Sequence, residues 1–318
     1  MESVSKEVYH KGNRDFFQGV LLCPSSRKYL CYNRIRPMNQ ITDIRPSPLA
    51  GRWYPANPKK LAESVDGYIQ SALIPEIKGE ILGIISPHAG HLYSGPVAGY
   101  AFKAVMELQP ELVVILSPCH HYHPGAILTS GHQAYQTPLG KVSVDQEGLD
   151  FVNKSLLEKT DMELIEVRND GEHAVEIILP FLQRTLQNDF AILPLMLRQQ
   201  DPDLMQTLGD LLAELMLSRN ILLVASTDLS HFQTAGKANQ LDQTIIQGIQ
   251  SLDPESLYQA QKENKGSACG LGALAAVIWA VRSGEGAEAH ILNYAHSGDV
   301  TGDNTSVVGY TSAVITRE

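Results

Sequence analysis

The chain has 318 residues, 43% of them apolar, with a formal net charge of −10 at pH 7 and an isoelectric point near 5.6. That is enough apolar material for a substantial core, and the acidic balance argues against nucleic acid or an anionic membrane surface as a partner. Four scattered cysteines (Cys23, Cys31, Cys119, Cys269) form no dense framework, which points to a reduced, cytoplasmic compartment rather than a disulfide-stapled secreted domain.

Residues 1–37 differ from the rest. They hold seven Lys/Arg against three Asp/Glu and show no periodicity, so they are expected to be a disordered or non-native extension, with translation starting at Met38 as the sharper form of that expectation. The apolar stretch 16–23 contains Gln18 and has no small residue before Cys23, which makes it a poor signal sequence. Residues 38–318 are expected to form one domain. Pro58 behind Asn57 predicts a helix over 58–73. A strand at 81–86, a helix at about 96–108 and a strand at 112–117 follow. Residues 124–145 contain alternating segments and are expected to make a hairpin-like excursion. Helices near 147–158 and 174–187, a strand at 190–197, a helix at 202–217 and a strand at 221–226 come next. Helices near 237–251 and 254–262 precede a helix at 270–283, whose apolar run over about 271–281 is interrupted by Gly272 and too short for a membrane span. Strands at 289–295 and 307–315 flank a turn-rich loop and are expected to be antiparallel. The alternation predicts a layered α/β fold around a central mixed, mostly parallel β-sheet flanked by helices.

Three of the apolar runs end in small polar turns that carry histidine: Ser86-Pro87-His88, Ser117-Pro118-Cys119-His120-His121 and Ser226-Thr227-Asp228-Leu229-Ser230-His231. Ligands in open α/β sheets bind outside the carboxyl ends of the strands, so these three ends are expected to share one metal or acid/base site. Of His120, His121 and His123, only one or two can face a common site, because neighbours on extended backbone point to opposite sides. Asp228 and His231, read as lying on one helical turn, are expected to act together, the carboxylate orienting the imidazole as acid/base. Cys269 precedes an apolar helix and is either a soft ligand or nucleophile, or a buried structural thiol. Glu172, His173 and Glu176 open a predicted helix, where His173 and Glu176 either line a pocket or cap the helix. Trp53 and Tyr93 are candidates for a pocket wall. No phosphate-binding glycine loop, nucleophile elbow or paired Cys-x-x-Cys signature is present.

Together, Gly51-Arg52-Trp53-Tyr54-Pro55, Ser86-Pro87-His88-Ala89-Gly90, Ser117-Pro118-Cys119-His120-His121, Glu172-His173-Ala174-Val175-Glu176, Ser226 to His231, Ala268-Cys269-Gly270 and Leu292-Asn293-Tyr294-Ala295 resemble the Memo family, whose microbial members are called AmmeMemoRadiSam system protein B. The resemblance runs in order over about 44–316. It implies a fold like that of class III extradiol dioxygenases. It also implies a non-haem metal site of two histidines and one cysteine, at His88, His120 and Cys269, with Asp228, His231, Trp53 and Tyr93 beside it. Iron(II) is the favoured metal and copper the thiolate-compatible rival. Two departures stand out: His91 where an aromatic is usual, and Cys119 where a serine is common. The implied function is a metal-dependent oxidoreductase. The alternatives are a non-catalytic metal- or redox-handling protein, a peptide-binding module using the inherited cleft, and a thiol hydrolase. A small molecule or peptide is the expected ligand, and the family name points to radical-SAM-associated partner proteins.

Overall fold

Residues 41–318 are described by the computed structural model; the expectation for 1–37 lies outside them. The first half runs β1 (Ile44–Arg45), α1 (Pro58–Ser71), β2 (Glu80–Ser86), α2 (His91–Ala104), β3 (Leu112–Pro118), β4 (Ile127–Ser130), β5 (Ala134–Thr137), β6 (Gly140–Val144), α3 (Gln146–Thr160) and β7 (Leu164–Val167). The second half runs α4 (Leu179–Thr185), β8 (Ala191–Leu197), α5 (Pro202–Met216), β9 (Ile221–Ser226), β10 (His231–Gln233), α6 (Ala235–Gln250), α7 (Pro254–Lys262), α8 (Leu271–Arg282), β11 (Ala287–His296), α9 (Gly298–Thr301) and β12 (Val307–Arg317).

The strands form one mixed sheet in the order β1-β5-β6-β8-β3-β9-β2-β12-β10, with β11 on β12 and the β4/β7 pair beside β8. Its centre, β6-β8-β3-β9-β2, is parallel, and β12 closes against β2 antiparallel. The β3 run is buried throughout, as the Val/Ile/Leu run of a strand covered on both faces requires. Register then does the work that positions the site. Ser86 pairs with Ser226, and Leu116 with Ala225, so the carboxyl ends of β2, β9 and β3 stop at one level side by side. The three expected strand ends therefore do meet.

The helices follow local chemistry. Asn57 caps α1 by accepting from the Lys60 N–H at 3.0 Å, with Pro58 in the first turn. Helix α8 is buried from Leu271 to Val281, as its apolar run predicts. Three expectations are corrected. Helix α2 starts at His91, five residues early, and carries Pro96 inside it; the missing bond falls near the first turn, which borders solvent at Leu92, 63% exposed. The helix expected over 174–187 is a 3₁₀ turn, Glu176–Ile178, then the short α4, because Pro180 has no N–H to give the Glu176 carbonyl. The excursion at 124–145 contains the β5/β6 hairpin, but its strands are integrated into the main sheet. No helix among the described residues is long and apolar enough to cross a membrane.

Candidate metal centre

His88 leaves the end of β2 through Pro87 and is almost fully buried. The Asp228 carboxylate accepts its backbone N–H at 2.8 Å. Its Nδ1 meets Ser226 Oγ at 2.9 Å. Ser226 gives its own hydroxyl proton to the Ala174 carbonyl at 2.8 Å, so Nδ1 must be the donor in that pair. That fixes the tautomer and leaves Nε2 a lone pair. Burial, reinforced by the charge of His120, pulls the His88 pKa down to about 3, so the ring is neutral.

His120, beyond the end of β3, is held by Glu172. One carboxylate oxygen accepts Nδ1–H at 2.9 Å and the other accepts the backbone N–H of His120. The first oxygen also takes the N–H groups of His173 and Ala174 at 2.8 and 3.0 Å. Burial alone would raise the Glu172 pKa. The hydrogen bond and charge of His120, with the charge of His173 and the Ala174 N–H, hold it well below the carboxylate range, so it is an ionised acceptor. A carboxylate holding the outer nitrogen of an imidazole is the usual support of a metal-binding histidine.

His173 completes the group. Its Nδ1 lies 3.2 Å from Glu172, and burial, with the repulsion that a protonated His88 would add, lowers its pKa to about 3. Ring centroids are separated by 5.3 Å (His88–His120), 5.4 Å (His88–His173) and 4.4 Å (His120–His173). One ligand nitrogen from each of the three lies within 4.8 Å of the others. Imidazole burial grades outward: His88 is inside, His173 half-buried and His120 open to solvent.

The expected donor trio is His88, His120 and Cys269; the group within 4.8 Å that the structure shows is His88, His120 and His173. Cys269 stands beside it, with Sγ 3.2 Å from His88 Nε2 and 3.3 Å from the backbone N–H of Asp228. Burial, with the Asp228 charge, pushes the thiol pKa well up, so the thiol keeps its proton and offers it to the His88 lone pair. Gly270 makes this placement feasible, since a Cβ there would lie 2.5 Å from the Ser226 carbonyl oxygen. Cys119 points its thiol elsewhere, to the His121 carbonyl at 3.2 Å.

The remaining expected residues divide. Asp228 and His231 are not on a helical turn: residues 227–230 are irregular and His231 opens β10. Asp228 supports the His88 backbone, and burial raises its pKa to about 6 against the pull of the His88 N–H and the His231 charge. His231 is fixed instead by its own backbone, Nδ1 donating to the Leu229 carbonyl at 2.8 Å, so the expected Asp228–His231 hydrogen bond is replaced by two separate ones. The charge of His231 still acts on His88 and on Asp228. The Trp53 ring lies 4.4 Å from that of His173, and a Cβ at Gly90 would touch both the Trp53 and Tyr93 rings, so these aromatics flank the loop after His88. Glu176 lines no pocket; it is wholly buried and accepts from Arg45, Ser47, Leu49 and Tyr54. His121 reaches the Gly171 carbonyl, outside the cluster. Sequence reasoning missed Ser226, Arg45 and Asp170. Only the Ser226 position, closing a strand run in the same way as Ser86 and Ser117, held a signal.

The Memo-like protein family matches residues 45–314. A MEMO1 family protein of Nitrosopumilus maritimus is 37% identical over 272 residues, covering 84% of this chain and 98% of that protein. One from Thermotoga neapolitana is 35% identical over 285 residues, covering 86% and 99%. One from Methanopyrus kandleri is 34% identical over 280 residues, covering 85% and 98%. A crystal structure of an uncharacterized protein from Escherichia coli K12 aligns with a TM-score of 0.49 at 13% identity, covering 74% of this chain and all of that one. With a family match across most of its length and relatives matched nearly end to end, this chain belongs to the Memo-like protein family.

Proposed function

We propose that the protein binds one redox-active first-row metal ion on His88, His120 and His173, with iron(II) favoured and copper its rival. The observation that carries this is three ligand nitrogens within 4.8 Å of one another, with the Nδ1 of His88 and of His120 committed to Ser226 and Glu172. The residues fit such an ion chemically. Neutral imidazoles suit iron, copper, zinc and nickel, while a thiolate favours softer ions. Iron(II) would rest on the imidazoles. Copper(I) would also draw on Cys269, which recovers the two-histidine, one-cysteine set as a metal-dependent alternative.

A metal held there would supply Lewis-acid or one-electron chemistry to a ligand approaching from the open His120 side. The protein's own part is then positional. Glu172 fixes His120, Ser226 and Asp228 fix His88, and Trp53 covers His173 on its ring face. His231, whose Nδ1 is committed to the Leu229 carbonyl, is the residue this reading assigns to proton exchange with the bound ligand. A small molecule is the favoured ligand, and an oxidoreductase reaction the favoured activity. The thiol-hydrolase alternative is disfavoured by a Cys269 thiol whose pKa is pushed up rather than down.

Cobalt(II) substitution tests the reading. Stoichiometric uptake with ligand-field absorption, lost in His88→Ala, is expected. No uptake at any cobalt concentration below the onset of nonspecific binding refutes it. Oxygen consumption by the iron-loaded protein with candidate substrates then separates an oxidoreductase from a metal-handling protein.

A further inference from the structure

We propose that Arg45 is a positioning residue of this centre, fixing His120 and His173 through the segment 170–176 and touching His88 only indirectly. The proposal rests on the metal-centre reading above.

Arg45 lies on β1, 1% exposed, with its guanidinium beneath the face of Tyr135 at 4.8 Å. Its donors are spread along one short stretch of chain. Nε and Nη2 grip both oxygens of Asp170 at 2.8 and 2.9 Å. Nη2 also reaches the carbonyls of Asp170 and Glu172 at 3.1 and 2.9 Å, and Nη1 donates to Glu176. One planar side chain therefore ties the start, middle and end of 170–176. Asp170 passes the constraint inward by accepting the Glu172 N–H at 3.1 Å.

What this stretch carries gives the contacts their meaning. Among the described residues Glu172 is the one carboxylate bonded to His120, and His173 is the next residue. The other Glu176 oxygen takes Ser47, Leu49 and Tyr54, anchoring the chain that leads to Trp53 on His173. His88 hangs chiefly on Asp228 and Ser226 at the end of β9, and meets the 170–176 segment only through the Ser226 hydroxyl on the Ala174 carbonyl. Stability alone is a weak reason for an arginine here, because well-packed apolar side chains replace buried ion clusters at little or no loss. A planar fork holding five acceptors is, however, hard to replace where direction matters. The geometry assigns Arg45 to direction.

The test uses the full chain with Arg45→Lys and Asp170→Asn. Lysine keeps the charge and one partner but loses the fork. Asp170→Asn keeps Arg45 on Glu176 and on the Glu172 carbonyl, so it serves if the lysine variant does not fold. Two quantities are read on folded protein: zinc(II) affinity by calorimetry, and the ¹⁵N imidazole spectrum that reports each ring's tautomer. The expectation is a ten- to hundred-fold loss of zinc affinity. The His120 and His173 signals should lose their single tautomers, with a smaller change at His88, which meets the segment through Ser226 and Ala174. A purely structural arginine would leave all three rings of the folded fraction alike. Unchanged affinity and unchanged His120 and His173 signals overturn the proposal. If the wild type takes no zinc, the metal reading falls, and the ring spectra still decide: a change at His120 and His173 larger than at His88 upholds Arg45 as organiser of the imidazole cluster, and no change overturns it.

Discussion

Replacing Glu172 with glutamine probes the centre at its most connected point. The carboxylate receives four N–H groups: the backbone and Nδ1 of His120, and the backbones of His173 and Ala174. Glutamine keeps one oxygen. If that oxygen stays where three donors converge, the amide NH₂ faces the His120 backbone N–H, donor against donor. A hydrogen bond to a charged group contributes about 1.5–3 kcal/mol against about 1 for a neutral one, and a buried donor left without a partner costs about 1–3 kcal/mol. The three retained bonds weaken by about 0.5–2 kcal/mol each and one is lost at about 1–3, which gives a destabilisation of at least about 2.5 kcal/mol. The effect on metal affinity is a loss of about ten- to hundred-fold, as for other carboxylates that hold ligand imidazoles. Urea unfolding measures the first number and zinc calorimetry the second. A stability change below about 1 kcal/mol together with unchanged zinc affinity would refute the reasoning, because it would mean that the carboxylate neither bears charge nor holds His120.

Phe232 has φ +58 and is 76% exposed beside His231, a conformation that costs an aromatic residue about 1–2 kcal/mol and that asparagine tolerates. Phe232→Asn should raise stability by about 0.5–1 kcal/mol in thermal unfolding; a loss would show that the ring packs more than its exposure indicates. Gly309→Ala would place a Cβ 1.9 Å from Asp242, whose carboxylate accepts Ser230 N–H and Tyr294 OH. Displacing that carboxylate should cost about 2–4 kcal/mol in urea unfolding, and a neutral result would mean that Asp242 moves freely. Asp43 is held at a pKa of about 2 by hydrogen bonds from Arg168 and then His132. Its contribution is present above the unfolded value of about 3.9 and is lost as pH falls through the folded one. The melting-temperature gap between wild type and Asp43→Asn should therefore shrink between pH 5 and pH 2, and a gap constant with pH would contradict this.

Much of the frame was legible. Runs of Val, Ile and Leu closed by Ser-Pro or Ser-Thr announce buried parallel strands, and three such ends placed His88, His120 and Asp228 together. The third imidazole was harder to read. His173 sits in a segment whose apolar spacing looks helical, but Pro180 delays the helix and leaves 170–175 as a loop, which lets Glu172 face back toward His120. Arg45 left no local trace. Its two-residue strand has no period, and its partners lie 125–131 residues away in sequence. Asp228 and His231 were paired by spacing alone, and the irregular turn between them sent each to a different partner.

The most direct test of the metal-centre claim is iron content per chain after anaerobic purification and reconstitution, for wild type beside His120→Ala, His173→Ala and Cys269→Ser. The account predicts about one iron in the wild type, a comparable content in Cys269→Ser, and loss in both histidine variants. Iron kept in His173→Ala but lost in Cys269→Ser would assign the third donor to the thiol, and a wild type that takes no metal would contradict the centre itself.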